Sequence, residues 1–308
     1  MKKSNVVSIN TPVDAPAVDL HELVQYSLYA PSWTAYKKDK KITAAIKKLN
    51  DVADEVDAGS YNKLLLPDCP SLDKLKSYIG SVRSVWFYGR TQPWGEARGV
   101  RVGKAKDLMT TLDEFGEKQE GLKPYKEAFK AEYLQDVAKA ELELNNMFNP
   151  DDYPALDEVV DRFDLKLSTM PLANVRDVRL LHDVPPHIKA DIEAAMQQEF
   201  EKSYNTTAKI AFERLLKPVR HMAKTLRAYD KKEVTKLYDS VVENVRHIGE
   251  MASTLNITND PDLDKLAQAA LDLVDDLSAK DLKESEGHLR VKAKAAEDLA
   301  ARIAKFIP

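Results

Sequence analysis

Residues 125–148 read YKEAFKAEYLQDVAKAELELNNMF, and their periodicity decides the fold class. Tyr125, Phe129, Tyr133, Val137, Ala140, Leu144 and Phe148 recur at three- and four-residue steps, the near-heptad seam of a long amphipathic helix. Upstream the pattern reaches back to Lys104 through Phe115, Leu112 and Leu108, with Gly116, Gly121 and Pro124 marking a break. It ends at Asn149-Pro150-Asp151-Asp152, before a short helix over Leu156 to Phe163. Downstream, Pro185-Pro186 opens a second long helix, 187–228, whose Ala208, Phe212, Leu215, Val219, Met222 and Leu226 keep to one face. Pro218 removes one backbone bond and predicts a kink there. Between the two, Phe163, Leu165 and Leu167, then Val178 and Leu180, alternate as strands do. Two helices of similar length flanking such a hairpin pack most economically as neighbours. The expected fold is mainly α: a long antiparallel helix pair (104–229) with a small β-hairpin near 163–181 at its tip.

A basic N-terminal head (19–103) precedes the pair. In it, Val24, Tyr26 and Leu28 alternate as a strand would, while Leu20, Leu23, Val24 and Leu28 fit a helix. Ser32 is placed to cap a helix from Trp33 to Val56, whose apolar stripe is Ile42, Ala45, Ile46, Leu49, Val52, Ala53 and Val56. Ser71 caps another, running to Tyr88. A C-terminal helical bundle (230–308) completes the chain, with helices over Val234–Leu255, from Asp260-Pro261, and from Ser278 with Asp281. The bundle and the head can pack as one domain. Residues 1–18, rich in Pro and Asp, read as a disordered tail.

Charge is divided along the chain. Before Asp107, Lys and Arg outnumber Asp and Glu by 17 to 11, yet the whole chain sums to −4. The last two hundred or so residues are therefore acidic helix behind a basic head. Ten glycines among 308 residues argue against a sheet-rich fold and against Gly-rich cofactor loops. The single cysteine, Cys69, excludes an internal disulfide and favours a reducing compartment. Met1-Lys2-Lys3 begins like a signal peptide, but Asn10, Pro12, Asp14 and Pro16 fall where its apolar run would be. No run approaches the length of a membrane span, so no membrane partner is expected.

Two clusters suggest binding. Arg83, Trp86, Tyr88, Arg90, Trp94, Arg98, Arg101, Lys104 and Lys106 set six positive charges against only Glu96. Such aromatics either stack bases while the cations hold phosphates, or anchor a loop to the core. Lys37, Lys38, Lys40, Lys41, Lys47 and Lys48 form a second run, in which Lys37, Lys41 and Lys48 share a face by helical spacing. That face either contacts phosphate or is simply solvated. A pI near 6.0 is not that of a dedicated nucleic-acid protein.

Nothing else carries chemistry. The histidines lack metal spacing, and Asp260, Asp262 and Asp264 lack the rest of a calcium loop. Gly103-Lys104 lacks the Walker pattern. Asp151, Asp152, Asp157, Glu158 and Asp161 need no more explanation than helix N-termini. No catalytic residue, metal or cofactor is expected.

Five segments carry a resemblance: LYAPSWTAYKKDKK (28–41), YNKLLLP (61–67), YGRTQPW (88–94), MFNPDDYP (147–154) and VVENVRHIGEMASTLNITNDP (241–261). With them, the chain resembles, over about residues 20–305, an uncharacterised protein family of phages and integrative mobile elements. Members of that family tend to be encoded near a MoxR- or cobaltochelatase-like AAA+ ATPase and near recombination or DNA-processing genes. The resemblance implies a non-enzymatic accessory protein in the host bacterial cytoplasm, with an AAA+ ATPase as partner and the long acidic helices as docking surfaces. It implies no functional residues. Direct nucleic-acid binding through 83–106, or a structural role in a virion, are the alternatives, and homo-oligomers fit either.

Overall fold

The computed structural model describes residues 22–53, 55–95, 99–172, 184–230, 232–233, 236–275 and 277–307. With 68% helix against 9% strand, the chain is mainly α with a small antiparallel sheet. In chain order the elements are β1 (Leu23–Tyr29), β2 (Tyr36–Lys38), α1 (Lys40–Leu49), β3 (Asn62–Leu64), α2 (Pro70–Ser81), α3 (Tyr88–Arg90), β4 (Gln92–Pro93), β5 (Arg101–Lys104), α4 (Leu108–Leu144), α5 (Leu156–Val160), β6 (Lys166–Pro171), α6 (Pro186–Asp230), α7 (Ser240–Leu255), α8 (Pro261–Leu273), α9 (Ala279–Glu284) and α10 (Glu286–Ala304). One sheet runs β4-β5-β1-β6; β2 and β3 form a separate ribbon.

The chain divides into two compact units, each assembled from separate stretches: unit 1 from residues up to 26, 90–108 and 169–308, unit 2 from 27–89 and 109–168. This division cuts across the 19–103, 104–229 and 230–308 segments. It also separates the two long helices, α4 in unit 2 and α6 in unit 1, so an antiparallel pair of the two organises neither unit. Of the expected first arm of the hairpin, Leu167 lies in β6, a member of the four-stranded sheet, while Phe163 and Leu165 precede that strand; the second arm, Val178 and Leu180, lies outside the described residues.

In unit 2 the seam of α4 is buried as its spacing requires. Phe115, Leu122, Phe129, Tyr133 and Ala140 pack with Leu72, Leu75, Ile79, Val160, Phe163 and Leu165. The helix is continuous through Gly116, Gly121 and Pro124. Pro124 removes a single backbone donor, and the buried residues on either side of it hold the register. Gly121 has a packing role: a Cβ there would collide with the Tyr78 hydroxyl, which donates to the Lys118 carbonyl at 2.9 Å. Ser71 is not the cap of α2. Cys69 holds that position without a side-chain cap bond, Pro70 opens the helix, and Ser71 is buried. A π-helical stretch (Val82–Phe87) continues α2.

In unit 1, α6 packs on α7 and α10. Leu215, Val219, Met222 and Leu226 share a core with Val241, Val245, Leu289, Ala293, Ala296 and Ile303. Arg227 and Glu297 form a two-pronged ion pair at 2.6 and 2.8 Å between α6 and α10. The caps of α8 and α9 follow the sequence reading: Asp260 accepts from the Asp262 and Leu263 amides, and Ser278 with Asp281 forms a capping box. The last segment is two helices, because Ser285 starts α10 by accepting from the His288 amide. The Val234 helix begins later, at Ser240.

Candidate functional site

The helix expected from Trp33 is instead a short strand followed by a shorter helix. Trp33 is buried, edge-on to Tyr133 with ring centroids 6.4 Å apart. Tyr36, Lys37 and Lys38 pair with Leu64, Lys63 and Asn62 as β2–β3. Asp39, not Ser32, caps α1, its carboxylate accepting from the Ile42 amide at 2.9 Å. Thr43 Oγ1 donates to the Asp39 carbonyl at 2.6 Å and accepts from the Tyr61 amide at 3.0 Å. Lys47 Nζ donates to the Val56 carbonyl at 2.6 Å. The returning loop thus lies along the Thr43–Lys47 flank of α1.

Every described residue from Tyr36 to Asn62 is at least partly exposed. The apolar stripe of α1 is therefore not fully covered: Ile46 is 46% exposed and Leu49 84%, and Val56, in the loop beyond the helix, 51%. A helix with one apolar face normally buries it. The opposite margin of the stripe carries Lys41 and Lys48, both exposed and neither in an ion pair among the described residues. Lys37 does not share this face, since it sits in β2 with its Nζ 3.9 Å from Asp152.

The root of this lobe is fixed electrostatically. Lys63 is buried, with Nζ 2.7 Å from Asp152, 4.0 Å from Asp39 and donating to the Met147 carbonyl at 2.5 Å. Nearby, the Tyr153 hydroxyl donates to the Leu65 carbonyl, and burial followed by the charge of Asp152 pushes its pKa up to about 12.

The Arg83–Lys106 segment is not one surface. It is shared between the units, Arg83 in unit 2 and Arg90, Trp94, Arg101 and Lys104 in unit 1. Arg83 donates to the Ala30 carbonyl at 2.5 Å. Trp86 stacks on Phe115 and donates to Glu114 at 2.8 Å. Arg90 is half-buried. Trp94 is 9% exposed, packed against Phe200. Arg101 donates to the Thr91 hydroxyl and carbonyl at 2.7 and 2.5 Å. Lys104 donates to the Ser253 carbonyl at 3.0 Å, and burial, with Lys106 close by, lowers its pKa. Arg98 lies outside the described residues. Gly95 has a positive φ of 58°, and a Cβ there would collide with the Ser203 hydroxyl, so it serves close packing on α6 rather than a phosphate loop.

Unit 2 also holds an open cleft of about 530 Å³, bordered by Tyr29, Tyr36, Asp161, Arg162, Asp164 and Lys166. Lys166 pairs with Asp164 at 2.9 Å, which raises the lysine pKa and lowers the carboxylate's. The bordering residues come from two short stretches, 29–36 and 161–166, which lie more than a hundred residues apart and which no spacing rule joins.

Cys69 donates to Asp136 at 2.9 Å. Burial and then this carboxylate push its pKa up from 9.0 to about 11. The folded state therefore retains the thiol proton that the unfolded state releases. The stabilisation is complete below about pH 9 and is lost as pH rises toward 11. At pH 8 the native thiol is expected to react with Ellman's reagent roughly a hundred times more slowly than in urea. Equal rates would show that the native Cys69 thiol is as accessible and as acidic as in the unfolded chain.

Among the described residues no group of His, Cys, Asp and Glu is arranged to hold a metal ion, and no helix is long and apolar enough to cross a membrane. Comparison with known protein families, curated proteins and solved structures found no match.

Proposed function

We propose that this chain is a non-enzymatic accessory protein of a phage or mobile element that docks on a protein partner, the resemblance implying an AAA+ ATPase working in DNA processing or recombination. One observation carries the reading. The lobe from Tyr36 to Asn62 presents an apolar helix face that stays exposed among the described residues. An unpartnered stripe bordered by charge is the form of a helix-docking element. Here α1, rather than the acidic helices, is the docking surface. Ile46 and Leu49 are both exposed, so Ile46→Glu with Leu49→Glu is expected to leave folding intact while the partner is lost in affinity purification from carrier cells. A partner retained by the folded double variant would sink the reading.

A second reading, contact with single-stranded nucleic acid, finds its support at another place than Arg83–Lys106. Tyr29 and Tyr36 are 60% and 57% exposed at the cleft, with Lys37, Arg162 and Lys166 close by in sequence or lining. Partners that disappear on nuclease treatment would favour it. The turned-in Trp94 and Arg101 give the 83–106 route no such support.

A further inference from the structure

Resting on the docking reading, we infer that the element received by α1 is an amphipathic helix of a protein partner, carrying acidic residues along one flank. The two margins of the apolar stripe differ. On the Thr43–Lys47 side the chain itself returns, held by the Tyr61 amide on Thr43 and by Lys47 on the Val56 carbonyl. This returning stretch brings exposed Asp51, Glu55 and Asp57. Within α1, the other side of the stripe carries Lys41 and Lys48. Seven residues apart, they lie two turns and about 10 Å from each other along the axis. Ile42, Ala45, Ile46 and Leu49 run between the margins.

A helix laid in that stripe buries its apolar face on Ile46 and Leu49, and its flank toward Lys41 and Lys48 is complemented by carboxylates at matching two-turn spacing. Other occupants fit less well. An anionic lipid surface is a plane repelled by exposed carboxylates, and Asp51, Glu55 and Asp57 follow Leu49 within eight residues. Nucleic acid meets the same carboxylates, and α1 offers it neither arginine nor an aromatic ring. A helix is narrow enough to follow the lysine margin and avoid the loop.

The test uses the full chain with two fluorescein-labelled, helix-stabilised peptides, both with leucine on one face, one bearing glutamate and the other lysine along the flank. The glutamate peptide is expected to bind at least about tenfold more tightly, with the advantage shrinking as salt rises. Lys41→Glu with Lys48→Glu, both exposed, is expected to invert the preference. Equal binding of the two peptides, or a preference unmoved by charge reversal, overturns the inference. So does binding to phosphatidylcholine vesicles containing one-fifth phosphatidylserine in place of the peptide, or dimerisation of the chain that Ile46→Glu abolishes. The cellular partner separates the two levels. If charge reversal leaves it bound while Ile46→Glu with Leu49→Glu releases it, docking stands and the acidic helix falls. If both variants keep it, both fall.

Discussion

Asp152→Ala is expected to lower the unfolding free energy of unit 2 by about 3 kcal/mol, because it strands a buried ammonium. Lys63 has a side chain only 4% exposed, and its close carboxylate is Asp152 at 2.7 Å. Asp39 stands at 4.0 Å, too far to replace it. A buried pair adds little over an apolar pair of the same shape, but half a pair is costly. Lys63→Met combined with Asp152→Leu is therefore expected to recover to within about 1 kcal/mol of the natural sequence. Urea unfolding followed by circular dichroism reads all three proteins. A single variant as stable as the parent would mean that water reaches Lys63 in solution. Asp39, the other carboxylate near Lys63, also caps α1, so Asp152→Ala is expected to loosen the root of the docking lobe as well.

Phe129→Ala is expected to cost about 4 kcal/mol, through lost transfer energy plus an unfilled cavity. Phe129 is fully buried, edge-on to both Tyr133 and Phe163, with centroids 5.5 and 5.6 Å away. Leu134→Ala, five residues along the same helix, is the control. Leu134 is 70% exposed, and its loss is expected to stay within about 0.5 kcal/mol. The pair of urea midpoints decides whether the seam read from Tyr125 to Phe148 is the side that faces the core. Equal losses would mean that Leu134 is covered in solution as well.

That seam was legible because its rule is local. Residues three and four apart on a helix meet the same neighbour, whatever the neighbour is. The Asp260-Pro261 start and the Ser278–Asp281 capping box were legible for the same reason: each is closed by atoms within three residues. Trp33 shows where this fails. It precedes the apolar stripe of α1 by nine residues, and only its contact with Tyr133, a hundred positions away, separates it from that helix. The partner of Lys104, the Ser253 carbonyl, is likewise set by a distant helix, and that of Arg101, the Thr91 hydroxyl, by the pairing of β4 with β5, so the run of basic and aromatic residues left surface and core readings open. The amphipathic stripe of α1 was visible in sequence, but its exposure was not: periodicity says that a face is apolar and is silent on whether anything covers it.

The interleaving of the two units has a consequence for how the protein is made. Unit 2 draws its last residue from position 168, whereas the helical core of unit 1 begins at α6 and finishes with α10 near the C-terminus. On the ribosome, unit 2 is complete in sequence while the helices that enclose unit 1 are still unsynthesised, an interval on the order of ten seconds at ordinary elongation rates. During that interval residues 90–108, Trp94 among them, are already made and still lack the Phe200 and Tyr204 side chains they will pack against. For those seconds the Trp94 ring lacks the cover it has in the finished fold.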